Sequence, residues 1–517
     1  MLDGMRAAGA SVMDAVPAAA MANHRDTKAS IHMNNPIHKL RKAPARQQAD
    51  DQQDGVSTRL RAARERAAAP SQDASTEPGF LRRVVDHWWD RLIGAVYSGS
   101  LSNQTARYAA HNQTRDYIAN SVGMGVWGAL FPILTIVASQ LAGAEQAGMF
   151  SMAFVIANLL IFIGNYGVRT YQVSDIDETE SFAAYQIQRV LSCVLMMLAG
   201  WLFCKVRGYA GEMLTICWGT FAFRVIDAFA DVYEGRLQQM DKLYLAGISQ
   251  ALRCVSGVVV FSVVLFVTRS IPVASIALAI VAAASLVIVT IPLALFETPK
   301  SRKWELQEIR EIFKECFPAF LAQFVFTLIE SVPKFVMEGV LPYKAQLAFN
   351  AIYFPAQSIL MVIGLVYKPQ LVRLANIWSD PSRRKRFDLI IVAVLALCAV
   401  LTAVYVFIAA WIGIPITSFL YGLNFEPYRT AQYMMLVAGG MTAAIDFLYQ
   451  IITVLRQQQK ATGAYGIALA VVLVLSGALV PTIGFNGAVW AYFLVMVVLL
   501  ALMVVQYVRV RLHPKEF

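Results

Sequence analysis

The feature that most constrains this chain is a succession of apolar stretches, each about 20 residues or longer, that begins near residue 118 and runs almost to the C-terminus. A helix of that length is what crossing the roughly 30 Å hydrocarbon core of a bilayer requires. With Pro, Gly and charge clusters taken as breaks, the sequence predicts twelve spans. They lie at about 118–142, 146–168, 184–204, 211–232, 243–267, 271–296, 313–337, 346–367, 388–412, 430–455, 462–482 and 485–508. The cut between the last two rests only on Pro481-Thr482-Ile483-Gly484-Phe485-Asn486-Gly487. Of the 78 Lys, Arg, Asp and Glu residues, 28 (16 basic, 12 acidic) fall in the first 117 positions, leaving 50 for the last 400. With 57% hydrophobic and 15% charged residues, such a chain has too little polar surface for a soluble enzyme. The expected class is an all-α polytopic membrane protein.

The loops set the orientation, because cytoplasmic loops carry excess Lys and Arg. With the N-terminus inside, the inward loops, the helix ends beside them and the C-terminal tail hold 20 Lys/Arg beyond residue 117, including Lys300-Ser301-Arg302-Lys303 and Arg383-Arg384-Lys385-Arg386. The outward loops hold five: Lys205, Arg207, Arg269, Lys344 and Arg429. A missed or extra span would scramble that alternation, so both termini are expected in the cytoplasm. The longest inward loop, 297–312, divides the chain into six helices (118–296) and six more (313–510), followed by a short cytoplasmic tail at 511–517. Internal duplication of this kind is common in transporters. Two six-helix bundles around a central cavity, in the cell membrane, are therefore expected.

Residues 1–78 are rich in Ala, Arg, Gln and Asp and read as a disordered cytoplasmic tail with no signal peptide. Within 79–117, Phe80, Leu81, Val84, Val85, Trp88, Trp89, Leu92, Ile93 and Val96 recur at helical spacing, which suggests an amphipathic helix on the inner membrane face. All six Cys (193, 204, 217, 254, 316, 398) lie in or beside apolar stretches without a C-x-x-C pair, and all six His lie outside the spans. No metal site or cofactor is expected.

Ionisable groups inside a span are costly and mark cavities or partners. Arg224, Asp227 and Asp231 share one face of the fourth helix, and Arg253 sits among Ser249, Gln250, Ser256 and Gly257 on the fifth. The seventh carries the stripe Gln323, Thr327, Glu330, Lys334 and Glu338, and the tenth gathers Thr442, Asp446, Tyr449, Gln450 and Thr453. Asn158 with Asn165, and Asn350 with Gln357, share faces of the second and eighth. Three polar-faced helices per half suggest a path between the halves, with Arg224 and Arg253 near mid-membrane, where a guanidinium can grip a phosphate bidentately. The competing reading is that both arginines pair with Asp227 and Asp231, and that Lys334 pairs with Glu330 or Glu338. Asp446, with no cation on its own helix, is a candidate to bind H⁺ or Na⁺, as are Asp227 and Glu330. No G-x-x-x-x-G-K-[ST] motif and no loop large enough for a catalytic domain is present, so neither ATPase nor other enzyme activity is expected.

Four short stretches add a resemblance. They are Gly164-Asn165-Tyr166-Gly167-Val168-Arg169-Thr170-Tyr171, Tyr233-Glu234-Gly235-Arg236-Leu237-Gln238-Gln239-Met240-Asp241-Lys242, Phe317-Pro318-Ala319-Phe320-Leu321 and Gly484-Phe485-Asn486-Gly487-Ala488-Val489-Trp490-Ala491. In that order, on a twelve-helix plan, residues 118–510 resemble the polysaccharide-repeat-unit transporters (O-antigen-type flippases) of the multidrug/oligosaccharidyl-lipid/polysaccharide exporter superfamily. The resemblance implies export of an undecaprenyl-type pyrophosphate-linked oligosaccharide from the inner to the outer leaflet by alternating access. Arg224, Arg253, Lys334, Asn158 and Gln357 would be the substrate-binding candidates, and a polymerase or glycosyltransferase a candidate partner; no nucleic acid is expected. The alternative is an H⁺- or Na⁺-coupled antiporter for cationic drugs. Against it, the first span lacks the carboxylate that branch usually carries there.

Overall fold

Every predicted span forms a helix. The computed structural model describes residues 107–175, 178–368, 371, 374, 377–378, 384–455 and 458–512; the N-terminal tail, the amphipathic stretch at 80–96 and residues 513–517 lie outside them. The spanning helices are α1 Arg107–Ala142, α2 Ala144–Asn165, α3 Phe182–Arg207, α4 Gly211–Gln239, α5 Leu243–Thr268, α6 Ile271–Glu297, α7 Leu306–Glu338, α8 Tyr343–Tyr367, α9 Arg384–Tyr421 and α10 Arg429–Val454. The remaining helical run, Gln458–Leu512, is 55 residues long, about 80 Å at 1.5 Å per residue and far more than one crossing needs. It breaks at Gly484, whose φ of 60° and ψ of −130° suit only glycine. That break separates α11 (458–483) from α12 (485–512), so the count of twelve stands and no strand occurs among the described residues.

Several helices are longer than the sequence pattern suggests. α4 continues through the Tyr233–Lys242 stretch to Gln239, and α9 extends to Tyr421 through a π-turn at Ala409–Gly413. α2 ends where Tyr166 and Gly167 both adopt positive φ, turning the chain into a short helical segment, Val168–Ser174.

α2–α6 pack on one another and form the N-lobe with α1, which is tied to them by Trp127 and by a close backbone crossing of Gly123 and Gly247. α8–α10 pack with α7, α11 and α12 as the C-lobe. The lobes meet along α2 and α8. A Cβ on Gly148 would lie 2.0 Å from the Tyr343 carbonyl oxygen, so only glycine allows this approach. Toward the lightly charged loops, the seam is held by helix termini. Glu145 accepts from the Tyr343 and Lys344 amides at the start of α8 (3.0 and 3.1 Å), a carboxylate on the positive end of a helix. Ser139 and Gln140 donate to the Tyr421 and Leu420 carbonyls at the end of α9 (2.7 and 2.9 Å). Arg207 bonds Glu338 and the Phe335 carbonyl.

Toward the basic loops, α7 reaches across to the N-lobe. Its Ile309, Ile312 and Cys316 pack with Val168, Phe182, Tyr185 and Val232. Tyr166 stacks on Phe320 at 4.5 Å, and Ser181 donates to Glu308 at 2.6 Å.

Candidate ion and substrate sites

In the N-lobe the charged faces of α4 and α5 turn toward each other instead of toward the other lobe. Arg253 forks across two carboxylates: Nε and Nη2 donate to Asp227 Oδ1 (3.2 and 2.8 Å), and Nη1 donates to Glu234 Oε1 (2.6 Å). Arg224 Nη1 donates to the other Asp227 oxygen at 2.8 Å, and its Nη2 donates to Asn158 on α2. Trp127 of α1 supplies a further donor to Asp227 at 2.7 Å. Arg224, Asp227, Glu234 and Arg253 are all buried. A second layer continues toward the basic loops. There Asp231 receives Arg169 (2.9 Å) and Arg189 (3.0 Å), and Arg189 also donates to the Gly164 carbonyl and Asn165 Oδ1.

The arrangement follows from the cost of burying charge: a buried ion is tolerable only when paired and hydrogen-bonded. Both arginines expected to grip a phosphate are thereby engaged by carboxylates. Asp231 serves Arg169 and Arg189, and Glu338 serves Arg207, Tyr209 and Tyr343 at the seam beside the lightly charged loops. Glu234 was missed as a site residue because its motif reads as a turn. Its place seven residues after Asp227 on the same helical face was the available signal.

The C-lobe centre is different in kind. Glu330 on α7 accepts from Gln357 and Tyr492, each at 3.2 Å, and also bonds Tyr353. Lys334, one turn on, is buried over the Tyr353 ring at 3.9 Å and makes no direct ion pair among the described residues, although Glu330 lies within electrostatic reach. Asp446 on α10 accepts from the Tyr367 hydroxyl. Tyr465 of α11 lies within electrostatic reach of both carboxylates and stacks with Tyr449 at 5.5 Å, while Phe326 approaches it at 5.4 Å. Two carboxylates supported by neutral hydroxyl donors and surrounded by aromatic faces suit a cation: the rings offer cation–π contact and the carboxylates a charge that protonation can cancel. Sequence reading found Glu330, Gln357, Lys334 and Asp446, but not Tyr353, Tyr367, Tyr465 and Tyr492, since isolated tyrosines in spans are commonplace. No cluster of metal-ligating residues occurs among the described residues.

An apolar groove of about 540 Å³ between α3 and α4, lined by Val194, Leu198, Trp201, Trp218 and Phe229, contains no charged side chain and is separate from these sites.

Neither a protein-family model nor a curated protein sequence matches the chain. Solved structures do. An inward-facing multidrug resistance MATE family transporter of the MOP superfamily aligns over 77% of this chain and 99% of its own, with a TM-score of 0.54 at 13% identity. An outward-facing structure of such a transporter aligns over 78% and 96%, at 0.53 and 13%. A MOP superfamily transporter from Pyrococcus furiosus, described as having a binding pocket of reverse polarity, aligns over 78% and 97%, at 0.54 and 14%. The chain has the MATE-like fold, a polytopic membrane architecture of two six-helix lobes.

Proposed function

We propose that the protein is a cell-membrane transporter that works by alternating access of its two lobes and exchanges organic cations for H⁺ or Na⁺. The observation that carries this reading is the division of charge between the lobes. Arg224 and Arg253 of the N-lobe are committed to carboxylates by direct hydrogen bonds, whereas among the described residues Glu330 and Asp446 of the C-lobe accept hydrogen bonds from neutral donors, with Lys334 one turn from Glu330 and not directly paired to it. In this role Glu330 and Asp446 bind the cation and the coupling ion in turn, and Lys334 sets how readily Glu330 gives up its proton. The fold shared with multidrug transporters supports it.

A second reading, export of a polyprenyl-pyrophosphate-linked oligosaccharide, is favoured by the four sequence stretches, by the absence of a carboxylate within the 118–142 span and by the concentration of four arginines in the N-lobe. It requires the pyrophosphate to displace Asp227 from Arg224 or Arg253.

The two readings separate in a binding experiment on the purified protein. A fluorescent organic cation is expected to bind and to be released by Na⁺ or by lowering the pH, with Asp446→Asn or Glu330→Gln removing the competition. Binding of the pyrophosphate lipid lost in Arg253→Lys, with no binding of the organic cation, would reverse the order of the two.

A further inference from the structure

α7 holds 33 residues, about 50 Å at 1.5 Å per residue, against roughly 30 Å of hydrocarbon. Counting back about 20 residues from Glu338 places the inner hydrocarbon boundary near Ala319. Residues 306–318 therefore project through the headgroup layer. At about 100° per residue these turns sort their side chains into three stripes. Ile312, Cys316 and Ile309 form one arc and are buried against the N-lobe. Glu308, Glu311 and Glu315 form a second, within which Glu308 is taken up by Ser181 and Arg302. Leu306, Phe317, Arg310 and Lys314 fill the third, an arc of about 80° centred about 130° from the first, and all four are exposed, Leu306 at 75% and Phe317 at 47%. Leu321, Phe324 and Leu328 continue that line up the helix as half-buried apolar residues, Phe324 and Leu328 packed partly on the core, away from Phe326, which meets Tyr465 of α11.

A stripe that is apolar above the boundary and basic with two apolar neighbours just below it matches the chemistry of a lipid surface. Beside it, Trp304 is 51% exposed and Lys303 is exposed. We propose that Arg310 and Lys314, flanked by Leu306 and Phe317, form a docking face for the anionic headgroups of inner-leaflet lipids. Glu308 is engaged by Ser181 and Arg302, and the exposed Glu311 and Glu315 lie on the adjoining arc, so the basic face is narrow and bordered by acidic residues on one side. Because the arc of Ile309, Ile312 and Cys316 is packed on the N-lobe, lipid docked on the basic arc holds this end of α7 between one lobe and the membrane.

The test uses the full chain in vesicles, labelled with a fluorophore at Phe317→Cys; the six native cysteines are buried. Quenching by brominated phosphatidylglycerol is compared with quenching by brominated phosphatidylcholine at equal mole fraction. Each basic residue near a charged membrane surface is worth roughly a fivefold preference. At least a fivefold excess for the anionic lipid is expected, lost in the double variant Arg310→Gln/Lys314→Gln, retained in Arg310→Lys/Lys314→Arg, and suppressed by raised salt. Equal quenching by the two lipids in the parent, or a preference unchanged in the double glutamine variant, would overturn the proposal. The salt titration on the parent decides the matter even if a variant fails to fold.

Discussion

Replacing Arg253 by Met removes all three donor contacts that this guanidinium makes with Asp227 and Glu234. Asp227 keeps Arg224 and Trp127, at 2.8 and 2.7 Å. Among the described residues, Glu234 keeps only Arg169, 3.7 Å away. Its carboxylate is then buried with little compensation, and removing one partner of a buried pair typically costs about 3–5 kcal/mol. The double variant Arg253→Met/Glu234→Gln takes away both the cation and the stranded charge, leaving Asp227 with its other two donors. Since the double variant leaves no stranded charge but does leave a buried amide short of partners, it is expected to recover all but about 1–2 kcal/mol of the loss. Unfolding in mixed micelles, followed by circular dichroism against the mole fraction of denaturing detergent, measures both. A cost below about 1 kcal/mol for the single variant, well under the value for a broken buried pair, or a double variant no better than the single, would refute the idea that this cluster is a structural strut of the N-lobe.

Glu145→Gln weakens the carboxylate cap on α8 and, at roughly 1 kcal/mol for such a cap, should raise the population with a separated outward seam about fivefold; a spin-label distance between α2 and α8 reads it, and an unchanged distribution counts against the latch. Glu180, in the loop before α3, has its pKa pushed up to about 7 by burial and by Glu311, Glu308 and Asp175, with Arg302 opposing. A carboxyl raised in the folded state contributes stability that is full below its unfolded value of about 4.5 and is lost as the pH rises through about 7. Protection of the segment 178–183, taken relative to the intrinsic exchange rate at each pH, should therefore fall between about pH 4.5 and 7, and Glu180→Gln should flatten that dependence; the same loss of protection in the variant would assign it elsewhere. Gly484→Ala places a Cβ at a glycine-only conformation, costing about 1–3 kcal/mol in the same detergent titration, and full stability would show that the α11–α12 break is not held at that position.

The spans were legible because the bilayer sets a length and an apolar content that few other environments demand. The α11–α12 turn was legible from Pro481, Gly484 and Gly487, since such residues interrupt or redirect a helix. Which polar residues share a face was also legible, because that depends only on helical spacing. Partnership was not. Whether Arg253 meets Asp227, 26 residues away, or Tyr367 meets Asp446, 79 away, depends on how each helix rotates about its axis. That rotation is set by packing details such as the Gly148–Tyr343 approach, which no periodicity encodes. Consequently the polar faces of α4 and α5, read as walls of a path between the lobes, close on each other inside one lobe. The tyrosines of the C-lobe escaped notice for a related reason: an aromatic residue in a span gains a role only once a carboxylate is placed beside it.

Uphill transport bears most directly on the proposed exchange. Proteoliposomes loaded with a fluorescent organic cation and given an inward H⁺ or Na⁺ gradient should drive the dye against its own gradient, and should lose that drive in Asp446→Asn and Glu330→Gln while both variants remain folded. Dye movement that ignores the ion gradient, or that persists unchanged in both variants, would contradict the assignment of ion coupling to the C-lobe carboxylates.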